Sequence, residues 1–189
     1  MNLFFRLIAL LIRNAISRER IDYLDTAVLR FRVWITDQDA FMHMNNSRYN
    51  SICDLSGIDL MTKIGVLGPM RKAGYAPVIV YRGVTLHRML KFPEAYDVRT
   101  RVSGWTGAYV CFAHDFYRGD RLCAEAVSIG RAVGMGADKP TIQGILEKLG
   151  LDDAPRSPDL TAFCKTKIEE LEAARAERRA LRKAKADAA

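Results

Sequence analysis

The sequence predicts an α+β domain in which one long central helix packs on an antiparallel sheet. Three observations lead to this fold class: an alternating strand pattern near the start, a single long helical pattern after it, and then four strand-like segments with no helix between them. Strands that follow one another without crossover helices pair in an antiparallel way. Further helical patterns on both sides of this core predict N- and C-terminal helical extensions.

The first strand and the central helix follow from two different periodicities. Residues 27–35 alternate arginine with apolar side chains, which is typical of a strand with one buried face. After a polar segment, residues 47–65 carry apolar or small side chains at helical spacing, beginning at Tyr49. Gly65 is the residue type that commonly follows the last turn of a helix. These patterns predict one strand, a connecting loop and a long helix.

The four remaining strands are predicted over residues 78–90, 96–105, 109–117 and 122–133. The last two flank Arg118-Gly119-Asp120, whose Gly and Asp favour a tight hairpin turn. An Arg-Gly-Asp triplet also occurs in adhesion motifs, but at this position it is interpreted as turn chemistry.

Two helical patterns follow the sheet. Residues 141–149 predict a short helix that ends at Gly150. A second helix is predicted from about residue 158, with an apolar stripe and then an end rich in Ala, Arg and Lys that is expected to be solvated. The chain is therefore divided into a terminal helix (1–20), a core domain (21–140) and C-terminal helices with a basic tail (141–189).

The N-terminal segment has the pattern of an amphipathic helix. Residues 3–16 are apolar except mainly for Arg6 and Arg13, which lie seven residues apart and hence on one helical face. The unbroken apolar run is too short to span a bilayer, and no small-residue cleavage site follows, so a secretory signal is not expected. Two interpretations stay open: a helix in the membrane interface with its arginine side away from the lipid, or a helix whose apolar face covers its own domain or a partner subunit.

The positive charge is confined to the two ends of the chain. The formal net charge is +7, of which residues 1–20 and 165–189 carry +3 each, so the rest of the chain is nearly neutral. A basic face for nucleic acid is therefore not expected. A hydrophobic content of 49% and a mean hydropathy of −0.07 indicate a soluble globular protein.

The cysteines and histidines show no metal-binding pattern. The four cysteines are scattered, no C-x-x-C pair occurs, and the three histidines are equally dispersed. We therefore expect no metal and no other cofactor. Free thiols favour a reducing, cytoplasmic compartment, with peripheral contact at the inner membrane face if the N-terminal helix binds lipid.

The segment 37–49 concentrates the polar chemistry of the chain. It contains Asp39 and His43, and then Asn45 and Asn46 where the central helix is predicted to begin. A carboxylate placed just before the positive end of a helix can act as a base or nucleophile while the helix end stabilises a developing oxyanion. The alternative is that Asp39 is a loop carboxylate that caps the helix.

This segment, with the element order around it, resembles the hot-dog fold, and in particular the acyl-CoA thioesterases of the 4-hydroxybenzoyl-CoA thioesterase type. A typical segment of that group reads D-x-D-x-x-G-H-V-N-N-x-x-Y, and the chain matches it in register at six positions: Asp37, Asp39, His43, Asn45, Asn46 and Tyr49. The resemblance covers about residues 25–135. The hydrophobic N-terminal helix further resembles a thioesterase-like branch of bacteria and animals whose members can associate with membranes.

The resemblance implies a role for each matched residue. Asp39 would attack the thioester carbonyl or activate the attacking water. His43 would hydrogen-bond the thioester oxygen or fix the loop. The positions of Asn45 and Asn46 imply cap residues whose backbone N–H groups contribute to the oxyanion site. Tyr49 would pack beside the substrate.

Three features of the motif qualify that expectation. Asp37 is a weaker candidate, since it can simply end the strand in an Asx turn. Asp54 on the helix is a competing acid or a salt-bridge partner. Met42 stands where the family usually has Gly, and together with Phe41 it would narrow the pocket or line it for an acyl chain.

The resulting hypothesis is an acyl-CoA thioesterase that releases a free acid and CoA, works as a homodimer or homotetramer, and binds the phosphates of CoA through Arg48, Arg88 or Lys91. The first alternative is a non-catalytic module that binds acyl thioesters or lipid at a membrane. A scaffold that uses its terminal helices, and a hot-dog dehydratase with His43 as the base, are further alternatives.

Overall fold

The protein is an α+β structure, as predicted. The computed structural model describes residues 3–134, 141–150 and 155–187. The chain divides after Pro158 into two compact units, of which the first contains the sheet and the second a single long helix. The predicted boundary at residue 140 and the extreme ends of the chain lie outside the described residues.

The helices of the first unit are α1 (Leu3–Ser17), α2 (Asn46–Lys63), α3 (Leu67–Lys72) and α4 (Ile142–Lys148), with a short 3-10 helix at Ile35–Asp37. Its strands are β1 (Ala27–Arg32), β2 (Tyr75–Leu86), β3 (Ala95–Thr106), β4 (Tyr109–Arg118) and β5 (Arg121–Gly134). The second unit contains α5 (Ala162–Asp187).

The five strands form one antiparallel sheet in the order β1-β3-β4-β5-β2. The long connection through α2 and α3 separates β1 from β2, which therefore lie at opposite edges. Helix α2 packs on the sheet through Tyr49, Ile52 and Leu55, which share a buried cluster with Val98 and Phe116. This arrangement of a central helix against an antiparallel sheet is the predicted hot-dog architecture.

Helix α2 begins and ends close to the predicted positions. The Asn45 side chain caps it by accepting a hydrogen bond from the Ser47 N–H at 2.9 Å. After the last turn, Gly65 adopts a φ of +80°, a conformation that glycine enters at little cost. The sequence did not predict that Asp59 and Lys63 are buried on this helix, where their side chains form an ion pair at 3.2 Å.

Helix α1 lies on the domain with its two arginines directed towards it. The arginines point towards buried carboxylates, whereas the large apolar side chains at the opposite face are exposed; these are Phe4, Phe5, Ile8, Leu11, Ile12 and Ile16. Part of the helix does cover its own domain, since Leu10 is buried in the core cluster and Leu3 and Leu7 pack against that cluster. The six exposed residues form a separate apolar face. Within the described ranges, no helix combines the length and apolar content needed to cross a bilayer.

Several element boundaries differ from the prediction. Strand β1 ends three residues early because the chain turns into the 3-10 helix, and β2 covers residues 75–86 rather than 78–90. After Leu86 the N–H groups of His87 and Arg88 both donate to Cys123 O, which ends the regular pairing. Helix α3 was not predicted at all, and α5 begins at residue 162 rather than near 158.

Candidate active site

The segment between β1 and α2 forms a closed loop. At its base the Asn45 N–H donates to Asp37 O at 2.8 Å, and Gln38 forms an isolated bridge with Met44. At its tip the Asp39 N–H donates to His43 O at 2.9 Å. The loop therefore places residues 39–43 at the entrance to α2 in a defined conformation.

Asp39 is held at the tip of this loop by backbone groups. Its Oδ1 accepts hydrogen bonds from the N–H of Phe41 at 2.8 Å and of His43 at 3.4 Å, as in an Asx turn. The side chain is half-buried, and within the described part of the chain no hydrogen bond or ion pair is formed by Oδ2. The carboxylate is thus oriented without being neutralised by a cation.

A cavity of about 360 Å³ lies against this loop. Four of the five predicted site residues line it, namely Asp39, His43, Asn46 and Tyr49. The fifth, Asn45, instead uses its side chain to cap α2. The structure therefore brings a carboxylate, an imidazole and the first helical residue to one concave surface, beside the positive end of the helix dipole.

Tyr49 contributes a wall to the cavity. It is buried, and its ring packs edge-on against Phe116 with the ring centroids 5.2 Å apart. Burial raises the pKa of the Tyr49 phenol to about 12, so this group stays protonated at neutral pH. This environment fits packing beside a substrate rather than proton transfer.

Met42 has an unusual backbone conformation. Its φ is +63°, in the left-handed region that favours glycine, and its side chain is exposed. Met42 stands where the family that this segment resembles usually has glycine. The loop needs a positive φ at this position. The loop adopts that conformation without glycine, at a steric cost of about 1–2 kcal/mol.

From one further part of the cavity wall, the sequence predicts only Arg88, as a contact for CoA phosphates. Residues 86–89, at the end of β2 and just after it, line the cavity, and His87 in this segment lies 2.7 Å from Glu125 through its Nε2. The segment reaches the loop because the Met44 N–H donates to Leu90 O at 2.7 Å. No local spacing signals this contact, since more than forty residues separate the two segments.

Of the three residues considered for CoA phosphates, one lines the cavity. Arg88 is exposed at its rim. Arg48 is engaged elsewhere, because its guanidinium donates to Thr36 O at 2.9 Å and lies 3.6 Å from the Asp37 carboxylate. Lys91 is exposed but is not among the cavity residues.

The two other acidic candidates are occupied by arginines. Asp37 is 1% exposed; it accepts a hydrogen bond from the Trp34 N–H at 2.9 Å and forms an ion pair with Arg6. Asp54 lies 2.8 Å from the Arg82 guanidinium. Both carboxylates therefore have structural partners, which distinguishes them from Asp39.

A second cavity of about 300 Å³ lies further along α2, under β2 and β5. Its walls are largely apolar and include Met61, Trp105, Phe112 and Ile145. His114 also borders it, although its two ring nitrogens are already within 3.0–3.2 Å of the hydroxyls of Ser56, Thr100 and Ser128. Burial, with the nearby Arg82 and Arg101, lowers the pKa of His114 to about 3.

Thiol and metal chemistry find no support in the described ranges. All four cysteines are free and buried, and burial raises the pKa of Cys53 to about 12, so this thiol is not a nucleophile at neutral pH. No group of three or more His, Cys, Asp or Glu residues is arranged there to hold a metal ion.

An antiparallel sheet around a central helix, with an oriented carboxylate at the start of that helix, defines a hot-dog protein of the thioesterase type. The chain belongs to the thioesterase-like superfamily: the model of that family matches residues 33–159, which include the loop, α2 and strands β2–β5.

Comparisons with individual proteins agree with this family. Protein THEM6 of Danio rerio is 32% identical over 84 residues, which are 44% of this chain and 42% of that protein. YbaW, a probable thioesterase from Escherichia coli, has a TM-score of 0.61 at 15% identity, covering 67% of this chain and 97% of its own. A DHNA-CoA thioesterase from Staphylococcus aureus has a TM-score of 0.58 at 13% identity, covering 69% and 94%.

At identities of 13–15% these solved structures show a shared fold. The chain spans about half the length of the curated relatives that it matches.

Proposed function

We propose that this chain is an acyl-CoA thioesterase that hydrolyses an acyl-CoA thioester to the free acid and CoA. The observation that carries the proposal is the placement of Asp39: its carboxylate is oriented by two backbone N–H groups, lacks a cationic partner among the described residues, and lines a cavity at the start of α2. Membership of the thioesterase-like superfamily supports the same reaction class.

The proposed reaction uses the carboxylate and the helix end together. Asp39 either attacks the thioester carbonyl, giving an anhydride that water hydrolyses, or removes a proton from the water that attacks. The carbonyl oxygen gains negative charge in both cases and is stabilised at the N-terminus of α2. The Asn45 cap occupies the Ser47 N–H, so the Asn46 N–H is the candidate donor. When the carbonyl group re-forms, the carbon–sulfur bond breaks, which gives the anhydride in the first route and the free acid in the second, and the CoA thiolate takes up a proton.

His43 and the segment after β2 complete the proposed site. The imidazole of His43 lines the cavity and is available to hydrogen-bond the thioester oxygen. Arg88 at the rim offers a guanidinium to a CoA phosphate.

The test is CoA release from a panel of acyl-CoAs by the wild type, Asp39→Asn and Asp54→Asn. Asn keeps an oxygen acceptor for the loop but cannot act as base or nucleophile, so we expect kcat to fall by about 10²–10⁴-fold. Asp54→Asn should retain kcat, because Asp54 is paired with Arg82. If the wild type and Asp39→Asn are equally inert while acyl-CoA still binds, the proposal fails and the non-catalytic alternative replaces it.

We also propose a homo-oligomer, a dimer or a tetramer, built on β2. This twelve-residue strand lies at the edge of the sheet, and it exposes Val78 and Ile79. An open apolar edge is a template for pairing with another strand, and a second copy offers the matching edge. Sedimentation should give at least a dimer at micromolar concentration, and Val78→Lys should weaken it; a monomeric wild type would contradict this.

We further propose peripheral contact with a membrane at its cytoplasmic face, and the exposed face of α1 supports the contact itself. Its six apolar side chains form one continuous helical stripe, while Arg6 and Arg13 are paired with acidic residues of the domain. Binding should therefore depend on apolar insertion and persist at high salt. Flotation with phosphatidylcholine vesicles should recover the wild type but not a Phe5→Ser/Ile12→Ser variant; equal recovery of both would exclude this surface.

A further inference from the structure

Arg6 is a charged residue of the terminal helix that is buried in the domain. Only 7% of it is exposed, and its Nη2 donates both to Asp37 Oδ2 and, at 3.5 Å, to Arg32 O at the end of β1. Burying a guanidinium is costly unless it is paired and hydrogen-bonded. The pairing with Asp37 therefore fixes where α1 meets the domain.

Asp37 connects that contact to the candidate active site. Its Oδ2 also accepts a hydrogen bond from the Trp34 N–H at 2.9 Å, and its backbone oxygen accepts the Asn45 N–H at 2.8 Å. One residue thus joins α1, the end of β1 and the start of α2. Asp39 follows two residues later, inside the loop that the Asp37–Asn45 hydrogen bond closes.

We propose that Arg6 is a positioning residue for Asp39, which it holds in place through Asp37. Loss of Arg6 leaves Arg48 as the one cation beside Asp37 among the described residues. The Arg48 Nε lies 3.6 Å away, and its side chain is about one-third exposed. The Asp37 carboxylate, without its closest cation, then turns towards water, and the base of the loop moves with it. A displacement of the order of 1 Å at a reacting group lowers turnover by about 10²-fold. This inference rests on the proposed thioesterase activity of Asp39.

Helix α1 provides its own matched control. Arg13 also pairs with a buried carboxylate of α2, since its Nη2 lies 3.2 Å from Asp59 Oδ1. Asp59 is thirteen residues beyond Asn46, which corresponds to about 20 Å along the helix axis and away from the loop. Removal of Arg13 therefore weakens the same docking of α1 without touching the base of the loop.

The experiment compares full-length Arg6→Met, Arg13→Met and Arg6→Lys by kcat and KM for an acyl-CoA that the wild type hydrolyses, at a temperature where circular dichroism shows every variant folded. We expect Arg6→Met to lower kcat by about 10–100-fold with little change in KM, and Arg6→Lys to recover part of the loss. Arg13→Met should keep kcat within about two-fold. Equal losses in Arg6→Met and Arg13→Met would overturn the proposal.

Two further measurements keep the inference testable apart from activity and folding. In Arg6→Met, but not Arg13→Met, the amides of Phe41 and Asn45 should exchange hydrogen faster; equal protection in both variants overturns the inference, whether or not the wild type hydrolyses any thioester. An inactive wild type refutes the proposed function alone. If Arg6→Met does not fold, Arg6→Met/Asp37→Asn removes both charges: a folded protein with low kcat supports positioning, and wild-type kcat refutes it.

Discussion

The base and the tip of the loop before α2 hold two aspartates in opposite surroundings. At the base, Asp37 is buried and lies between the guanidinium groups of Arg6 and Arg48. At the tip, Asp39 is half-buried, faces a cavity and accepts hydrogen bonds from backbone N–H groups alone among the described residues. An aspartate thus occurs twice within three residues: Asp37 fixes the loop, and Asp39 faces the cavity.

This difference shows how a carboxylate can be kept in place without a cation beside it. A guanidinium next to Asp39 would occupy the lone pairs that a base or nucleophile needs. In the structure the cations lie beside Asp37 instead. Asp39 is held by backbone hydrogen bonds within the loop that the Asp37–Asn45 hydrogen bond closes. The base should therefore dominate stability, and the tip should dominate turnover.

The largest effect on stability is expected from Asp37→Asn. This change leaves Arg6 buried without its anion, and breaking a buried ion pair costs about 3–5 kcal/mol. Asp39→Asn retains an oxygen that can accept the Phe41 N–H, so it should cost less than about 1 kcal/mol. Urea unfolding of both variants measures the comparison. Similar losses in the two variants would remove the distinction between base and tip.

Burial of His114 also makes the stability of the fold depend on pH. His114 is buried among hydroxyls with its pKa lowered to about 3, against an ordinary value of about 6.5 in the unfolded chain. Between these values the unfolded state binds a proton that the folded state does not, so stability falls as the pH falls. The expected loss from pH 7 to pH 5 is about 2 kcal/mol.

One variant isolates this contribution. His114→Gln should show a flatter stability profile than the wild type between pH 7 and pH 5, when both are measured by urea unfolding. A slope that is unchanged in His114→Gln would show that other groups carry the pH dependence.

The part of this arrangement that sequence predicts is the part encoded by neighbouring residues. Alternation, helical spacing and the Asn45 cap predict β1 and α2, and the short segment 37–49 carries most of the predicted site residues. Helix α3 was missed because Gly68 and Pro69 are typical of loops, although proline is tolerated in the first turn of a helix.

The remainder depends on contacts between distant segments. The spacing of Arg6 and Arg13 indicates one helical face, but only the fold reveals that Asp37 and Asp59, 31 and 46 residues away, draw that face inward. His87 enters the site for a similar reason, because the hydrogen bond from Met44 to Leu90 brings its segment to the loop. A pattern of hydropathy cannot signal either event, since it records no partner.

The smallest expected effect lies at the tip itself, where Met42→Gly should stabilise the protein by about 0.5–1 kcal/mol. Glycine relieves the cost of a positive φ, which exceeds the extra entropy that glycine gains in the unfolded chain. Met42→Ala is the matched control: it removes the exposed side chain but keeps the Cβ that opposes this conformation, so it should bring no gain. If urea unfolding gives Met42→Gly and Met42→Ala the same stability, the tip is unstrained, and its rigidity comes entirely from the hydrogen bonds at residues 37–45.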